Sequence, residues 1–237
     1  MCGRFRLTFF PDAEDLFEQL FGIPFPQFVD PAILEDDILP FRDISTIHAD
    51  RDGHLVCRSM FWNLIPRSST RFESGRTWFN TRQEKFDTSL QKTLLRTHRC
   101  IVPVNSFLET RKRDGKAVYH SCKVAGKTVR KKETHEFRLL DQPIMALGGI
   151  YDVWGTETQE TRYSCSIITQ KPNAMIAEVH DRMPFILAKD QIEIWLDRTV
   201  DDAELLSQLI TPYPPEKMAR RRVWPHHDQE TQLHLFN

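Results

Sequence analysis

Residues 44–62 read ISTIHA (44–49), DRDG (50–53) and HLVCRSMFW (54–62), and this stretch decides the fold class. Two runs rich in β-branched and aromatic side chains flank a short polar turn ending in Gly53, the composition of an antiparallel hairpin. Runs of the same kind recur outward from it: CIVPV (100–104), SFLE (106–109), KAVYHSCKV (116–124), IMALGGIYDVW (144–154), RYSCSIIT (162–169) and PFILA (184–188). Gly, Pro and charged residues separate them. Helical spacing is rarer. Residues 12–21 place Leu16, Phe17, Leu20 and Phe21 on one face after an acidic start, and Gly22 and Pro24 close the segment. Residues 83–97, 189–197 and 201–210 also read as helices, while the prolines and acids of 24–41 predict a wrapping loop. Strands outnumber helices and do not alternate with them, which predicts an α+β fold on antiparallel sheet and not a βαβ array.

The chain has 237 residues, 40% hydrophobic and 11% aromatic, ample for a buried core. No repeat or linker divides it. We expect a single domain over 1–237, with a basic insert at about 111–142 and a polar surface tail from about residue 212. A net charge of -1 excludes a surface coated in positive charge, so any nucleic-acid affinity must come from a local patch. Between residues 111 and 132, nine basic residues accompany one acid, Asp114, and Arg220, Arg221 and Arg222 lie near the C-terminus. Such a run either follows a phosphate backbone or is a solvated face. Cys2, Cys57, Cys100, Cys122 and Cys165 are odd in number and widely spaced, which predicts reduced thiols and neither a disulfide framework nor a zinc site. No signal segment, membrane-length apolar run, dinucleotide fingerprint or P-loop occurs, so the expected setting is cytoplasmic, without membrane or nucleotide cofactor.

Four stretches carry candidate chemistry. Removal of Met1 would give Cys2 an α-amine beside its thiol, a 1,2-aminothiol that either attacks an acyl carbon or condenses with an aldehyde to a thiazolidine. Ordinary pKa values of about 8 and about 8.5 leave part of each group deprotonated near neutrality; alternatively Cys2 packs as a small hydrophobe. Asn80 and Arg82 share one side of an extended segment, suited to orienting a reacting group and binding a phosphate, or to capping a helix. Glu109 ends an apolar run, where partial burial would raise its pKa, unless it is a solvated strand end. His180 lies at a junction between elements and could act as a functional imidazole or as a helix cap.

Cys2-Gly3-Arg4-Phe5, Asn80-x-Arg82 with Glu84, an apolar strand ending in Glu109, and His180-Asp181-Arg182-Met183-Pro184 occur in one order. In this the chain resembles the SRAP proteins, the SOS response-associated peptidases, which shield abasic sites in single-stranded DNA by bonding to them covalently. The resemblance runs from Cys2 to about Trp195. It implies a β-rich, barrel-like core with peripheral helices, a monomer, single-stranded DNA with an abasic site as partner, no cofactor and no metal. It assigns Cys2 as the amine and thiol, Asn80 as the clamp on that terminus, Glu109 as the proton carrier, and His180 as donor to the sugar oxygen. DNA contacts would come from Arg4, Pro40, Arg82 and Arg182, and a bacterial host would place the protein at the nucleoid. Family members commonly carry a Tyr-Asn pair where this chain has Asp36-Asp37. They have Trp beside the glutamate where it has Phe107 and Thr110, and a Trp-rich loop where it has Arg67-Ser68-Ser69. The basic insert would compensate through charge and predicts a strong salt dependence. A competing chemistry is an amidohydrolase or peptidase using the Cys2 thiolate, including autocatalytic removal of Met1.

Overall fold

The computed structural model describes residues 2–7, 12–24, 37–72, 75, 77–124, 126–155 and 161–223. Asp43–Ala49 pairs antiparallel with Leu55–Trp62, from Asp43 opposite Phe61 to Ala49 opposite Leu55. The turn between them is held by Asp50, whose Oδ1 accepts the amides of Asp52 and His54, both at 2.9 Å. Gly53 supplies the left-handed φ of 88° that the turn requires.

Pairing then runs in a closed circuit. Asp43–Ala49 lies beside Arg99–Val104, which pairs with Met145–Trp154, which pairs with Arg162–Gln170; that strand returns, in parallel, to Leu55–Trp62. These five strands form the barrel-like core of an α+β fold. Alternation sorts their side chains: Cys100, Val102 and Val104 join one buried cluster with Trp62, Met145 and Ile167. Ile101 joins another with Ile47, Leu94, Ile150 and Trp195. Gly148 is required by close packing, since a Cβ there would stand 2.4 Å from the ring of Phe185.

The helices Ala13–Phe21, Ser89–Thr97, Lys189–Leu196 and Ala203–Leu209 contribute to the second cluster or lie beside it. Buried Arg99 ties two of their ends together, donating to Leu95 O at 2.9 Å and to Trp195 O at 2.6 Å. Its charge thereby meets the carbonyl ends of both helices. Among the described residues no helix is long and apolar enough to cross a membrane.

A four-stranded sheet fixes the amino-terminal segment. Phe5–Arg6 pairs with Ser106–Thr110, which pairs with Thr134–Leu139, which pairs with Met218–Val223. Phe5 also exchanges both backbone hydrogen bonds with Ile38, at 3.1 and 2.8 Å. Its ring packs 4.7 Å from that of Trp62, and full burial of such a ring contributes about 2 kcal/mol.

Three sequence expectations need correction. The helix expected over 83–97 is a 3-10 turn, Gln83–Lys85, and a helix, Ser89–Thr97, because Phe86 turns inward between them. The surface tail expected from 212 instead returns as Met218–Val223, with Tyr213, Met218 and Val223 buried. The single strand expected over 116–124 is split at Val118, and the basic run forms two hairpins, Lys112–Arg113 with Lys116–Ala117 and Tyr119–Val124 with Lys127–Lys132. Most of the wrapping loop expected over 24–41 lies outside the described residues.

Candidate active site around Cys2

Cys2 is fully buried, three residues before the start of the Phe5–Arg6 strand. Leu108 N donates to Arg4 O at 2.9 Å, so backbone pairing continues almost to the cysteine. From the other side, Asn80 Nδ2 donates to Cys2 O at 2.7 Å. Asn80 is placed by the strand Asn80–Arg82, which runs parallel to Arg162–Gln170 with Asn80 opposite Ile167. Trp62 braces the same segment by donating its indole N–H to Phe79 O at 2.9 Å. The Oδ1 of Asn80 is buried and has no hydrogen-bond partner among the described residues.

Glu109 shares a strand face with buried Phe107, so period-two alternation carries its carboxyl inward. Burial pushes its pKa up to about 7 against the opposing pull of nearby cations, including Lys112. Burial raises the Cys2 thiol well above its usual range, and the charge of Glu109 raises it further, which places carboxylate and thiol in one neighbourhood. The sequence expectation of a readily ionised thiol is therefore reversed, because the thiolate would lose its water on burial.

His180 follows the short helix Ala174–Ala177, whose cap Asn173 accepts the amide of Ile176 at 3.0 Å. Its Nε2 stands 3.7 Å from Glu109 Oε2. Burial, aided by Lys112 and other positive charge, lowers its pKa to about 4, so the ring is neutral near neutrality. Nδ1 accepts the amide of Arg182 at 3.1 Å, which assigns the ring proton to Nε2 on the Glu109 side. Asp181 Oδ1 lies 3.0 Å from Nδ1 and would gain only from a doubly protonated ring. An opening of about 300 Å³ beside His180 is bordered by Lys112 and Asp181. Cys2, Asn80, Glu109 and His180, spread across the sequence, are thus brought together.

The expected DNA-binding residues divide. Arg82 is exposed on the side of Asn80. Pro40 lies between exposed Leu39 and Phe41, and Phe41 holds a left-handed φ of 67° with its ring 6.0 Å from Phe79, beside the Asn80 segment. Arg4 is ion-paired with Asp37 at 3.3 Å, and Asp37 also accepts from Arg6 at 3.1 Å. Arg182 is placed differently from Arg82. It is buried, forms a bidentate pair with Glu84 at 2.7 and 2.9 Å, and donates to Thr169 O at 2.6 Å, so it braces the His180 turn. Sequence reasoning did not place Lys112 or Asp37 at the site, since one was read only within a charge run and the other only as a departure from a family pair. Asp50, Asp52 and His54 are grouped closely enough to ligate an ion, but the amides of the hairpin turn occupy the Asp50 carboxylate.

Fold and constellation define a class: barrel-like proteins with a cysteine at position 2 clamped by an amide beside a buried carboxylate and imidazole. The chain belongs to the SOS response associated peptidase (SRAP) family, whose model matches residues 1–226. It is 31% identical over 227 residues to the abasic site processing protein YoqW of Bacillus subtilis, covering 94% of this chain and 92% of that one. It is 26% identical to the abasic site processing protein HMCES of Rattus norvegicus over 65% of this chain and 49% of the relative. A crystal structure of a Bacteroides thetaiotaomicron protein shares the fold, with a TM-score of 0.69 at 22% identity over 96% of this chain and 93% of that one.

Proposed function

We propose that this protein captures abasic sites in single-stranded DNA covalently through Cys2, acting in the cytoplasm as a monomer. Once Met1 is removed, the α-amine of Cys2 adds to the C1′ aldehyde of the ring-opened sugar. Loss of water leaves an imine. Sγ then adds to the imine carbon and the thiol proton passes to nitrogen, which closes a thiazolidine. Glu109 is suited to deliver the proton that departs with water, to recover one from the nitrogen, and to relay the thiol proton to nitrogen, because its pKa of about 7 leaves both forms populated near neutrality. Asn80 holds the cysteine carbonyl and so orients amine and thiol. Neutral His180, with its proton on Nε2, can hydrogen-bond the sugar oxygen and favour the open aldehyde.

The observation that carries this reading is a carboxyl balanced between its two forms beside a cysteine clamped through its own carbonyl. The names of YoqW and HMCES, both abasic site processing proteins, support the substrate class. Exposed Arg82 and the Leu39–Phe41 knuckle offer a cation and apolar faces to a strand. Protein with Cys2 as its mass-verified first residue, incubated with an abasic-site oligonucleotide, should give a slower band on a denaturing gel. Cys2→Ala should give no stable band, and neither should protein that retains Met1. No band from processed protein at neutral pH would refute the reading.

A further inference from the structure

Another cavity, of about 640 Å³, has none of Cys2, Asn80, Glu109 or His180 in its lining. Exposed Arg58, Arg67 and Arg198 surround it together with His48, Tyr151 and Tyr163. Its charges are not balanced. Arg67 is committed to the buried carboxylate of Asp152 at 2.8 Å. Arg58 lies 4.1 Å over the ring of Tyr163, and Arg198 reaches Ala49 O at 3.4 Å. Among the described residues neither Arg58 nor Arg198 forms an ion pair. Asp50 and Asp52 line the cavity too, with Arg51 beside them, and Asp50 Oδ1 is held by two turn amides, so cations remain in excess in the lining.

Between these cations sits His48, only 3% exposed, its ring 5.0 Å from that of Tyr151. Its Nδ1 is buried and has no hydrogen-bond partner among the described residues. A buried polar atom without a partner costs about 1–3 kcal/mol, a cost that a ligand accepting from this nitrogen would relieve. Burial, then the charges of Arg58 and Arg198, lower the His48 pKa to about 4, so the ring adds no cation of its own.

We infer that this cavity is a second binding site, which takes the phosphate of a nucleotide between Arg58 and Arg198, with His48 as a neutral donor. Guanidinium groups suit a phosphate through their planar donors. The volume exceeds that of an inorganic ion, and half-buried Tyr163, with Arg58 over its ring, is the aromatic side chain placed to meet a base. A free mononucleotide and a nucleotide within a strand present the same chemistry, and the two are separable.

Binding of deoxyadenosine monophosphate, and of an unmodified single strand of about 15 nucleotides, is measured by titration calorimetry. Wild type is compared with Arg58→Gln/Arg198→Gln and with His48→Gln, after circular dichroism shows each variant folded. At least one ligand should bind wild type and lose about tenfold or more in affinity in the arginine variant. Mononucleotide binding would mark a free-nucleotide pocket; loss for the strand alone would mark an extension of the DNA path. Affinities unchanged for both ligands in the arginine variant, or no wild-type binding, would overturn the proposal. Should His48→Gln misfold, the arginine variant suffices, since both its positions are exposed. The readout uses no abasic site, so it stands or falls apart from the Cys2 chemistry.

Discussion

Glu109, Glu133 and Glu136 are buried alike, at 5%, 4% and 1% exposure, in or beside the same four-stranded sheet, yet they titrate in opposite directions. Burial pushes Glu109 up to about 7. Burial acts upward on Glu133 as well, but hydrogen bonds from His135, His120 and Arg111 outweigh it and bring that carboxyl down to about 2. Glu136 is likewise lowered, because Arg221, Ser106 and Arg138 together overcome its burial. The contact of Glu109 with His180, 3.7 Å, is longer than a hydrogen bond. Desolvation is common to all three; at Glu133 and Glu136 the opposing hydrogen bonds and charges overcome it, whereas at Glu109 burial outweighs the groups that pull the other way.

Glu109→Gln tests that contrast with the largest expected effect. Adduct formation should slow by about a hundredfold or more. The wild-type rate should change with an apparent pKa near 7, a dependence that the variant lacks. Stability should move the other way. A carboxyl whose folded pKa exceeds its ordinary 4.5 binds its proton more tightly when folded, so its contribution worsens as pH rises from there to about 7 and is then constant. Above that range the variant should be more stable than wild type by up to about 3 kcal/mol, measured by urea unfolding. An unchanged rate would remove Glu109 from the chemistry.

Glu136→Gln should do the reverse. Arg6, Arg138 and Arg221 would face a neutral amide where they now share a carboxylate, and breaking such a buried cluster costs about 3 kcal/mol. The melting temperature should fall by several degrees, while the adduct yield of folded protein stays at the wild-type level. Because the folded pKa of Glu136 is depressed, its stabilisation is present above the ordinary carboxylate pKa and is lost as pH falls. The deficit of the variant should therefore shrink in acid. A variant that is stable but inactive would invert the assignment of the two glutamates.

The same contrast marks what could be read from sequence. The hairpin of residues 44–62 and the strands of the closed circuit were legible because alternation and turn chemistry are local. Cys2, Asn80, Glu109 and His180 were picked out by the order in which their motifs occur, since each alone also reads as a packing, capping or solvated residue. Thr134–Leu139 and Met218–Val223 were missed: THEFRL and MARRRV look like surface until Glu136 meets Arg221, 85 positions away. The burial of Arg182 was hidden for the same reason, its partner Glu84 being 98 positions distant. The Cys2 thiol was misjudged because a free residue's pKa carries no information about burial.

Asp37 extends the comparison to the protein's surface, where the expected effects are smallest. It takes Arg4 and Arg6 at 3.3 and 3.1 Å, with side chains 23% exposed at Asp37 and Arg4. A pair so placed contributes little to stability, about 1 kcal/mol or less, but it occupies the cation expected to meet a phosphate. Asp37→Asn should keep the fold and release the Arg4 charge. Affinity for single-stranded DNA should rise a few-fold at low salt, and the slope of log affinity against log salt should steepen by up to about one. Glu136 still holds Arg6 at 3.3 Å in that variant, so the gain belongs to Arg4 and should vanish in Arg4→Gln/Asp37→Asn. If the slope is the same with and without the Asp37 carboxylate, Arg4 carries no phosphate, and the cationic contacts with the strand rest on Arg82 and the basic hairpins.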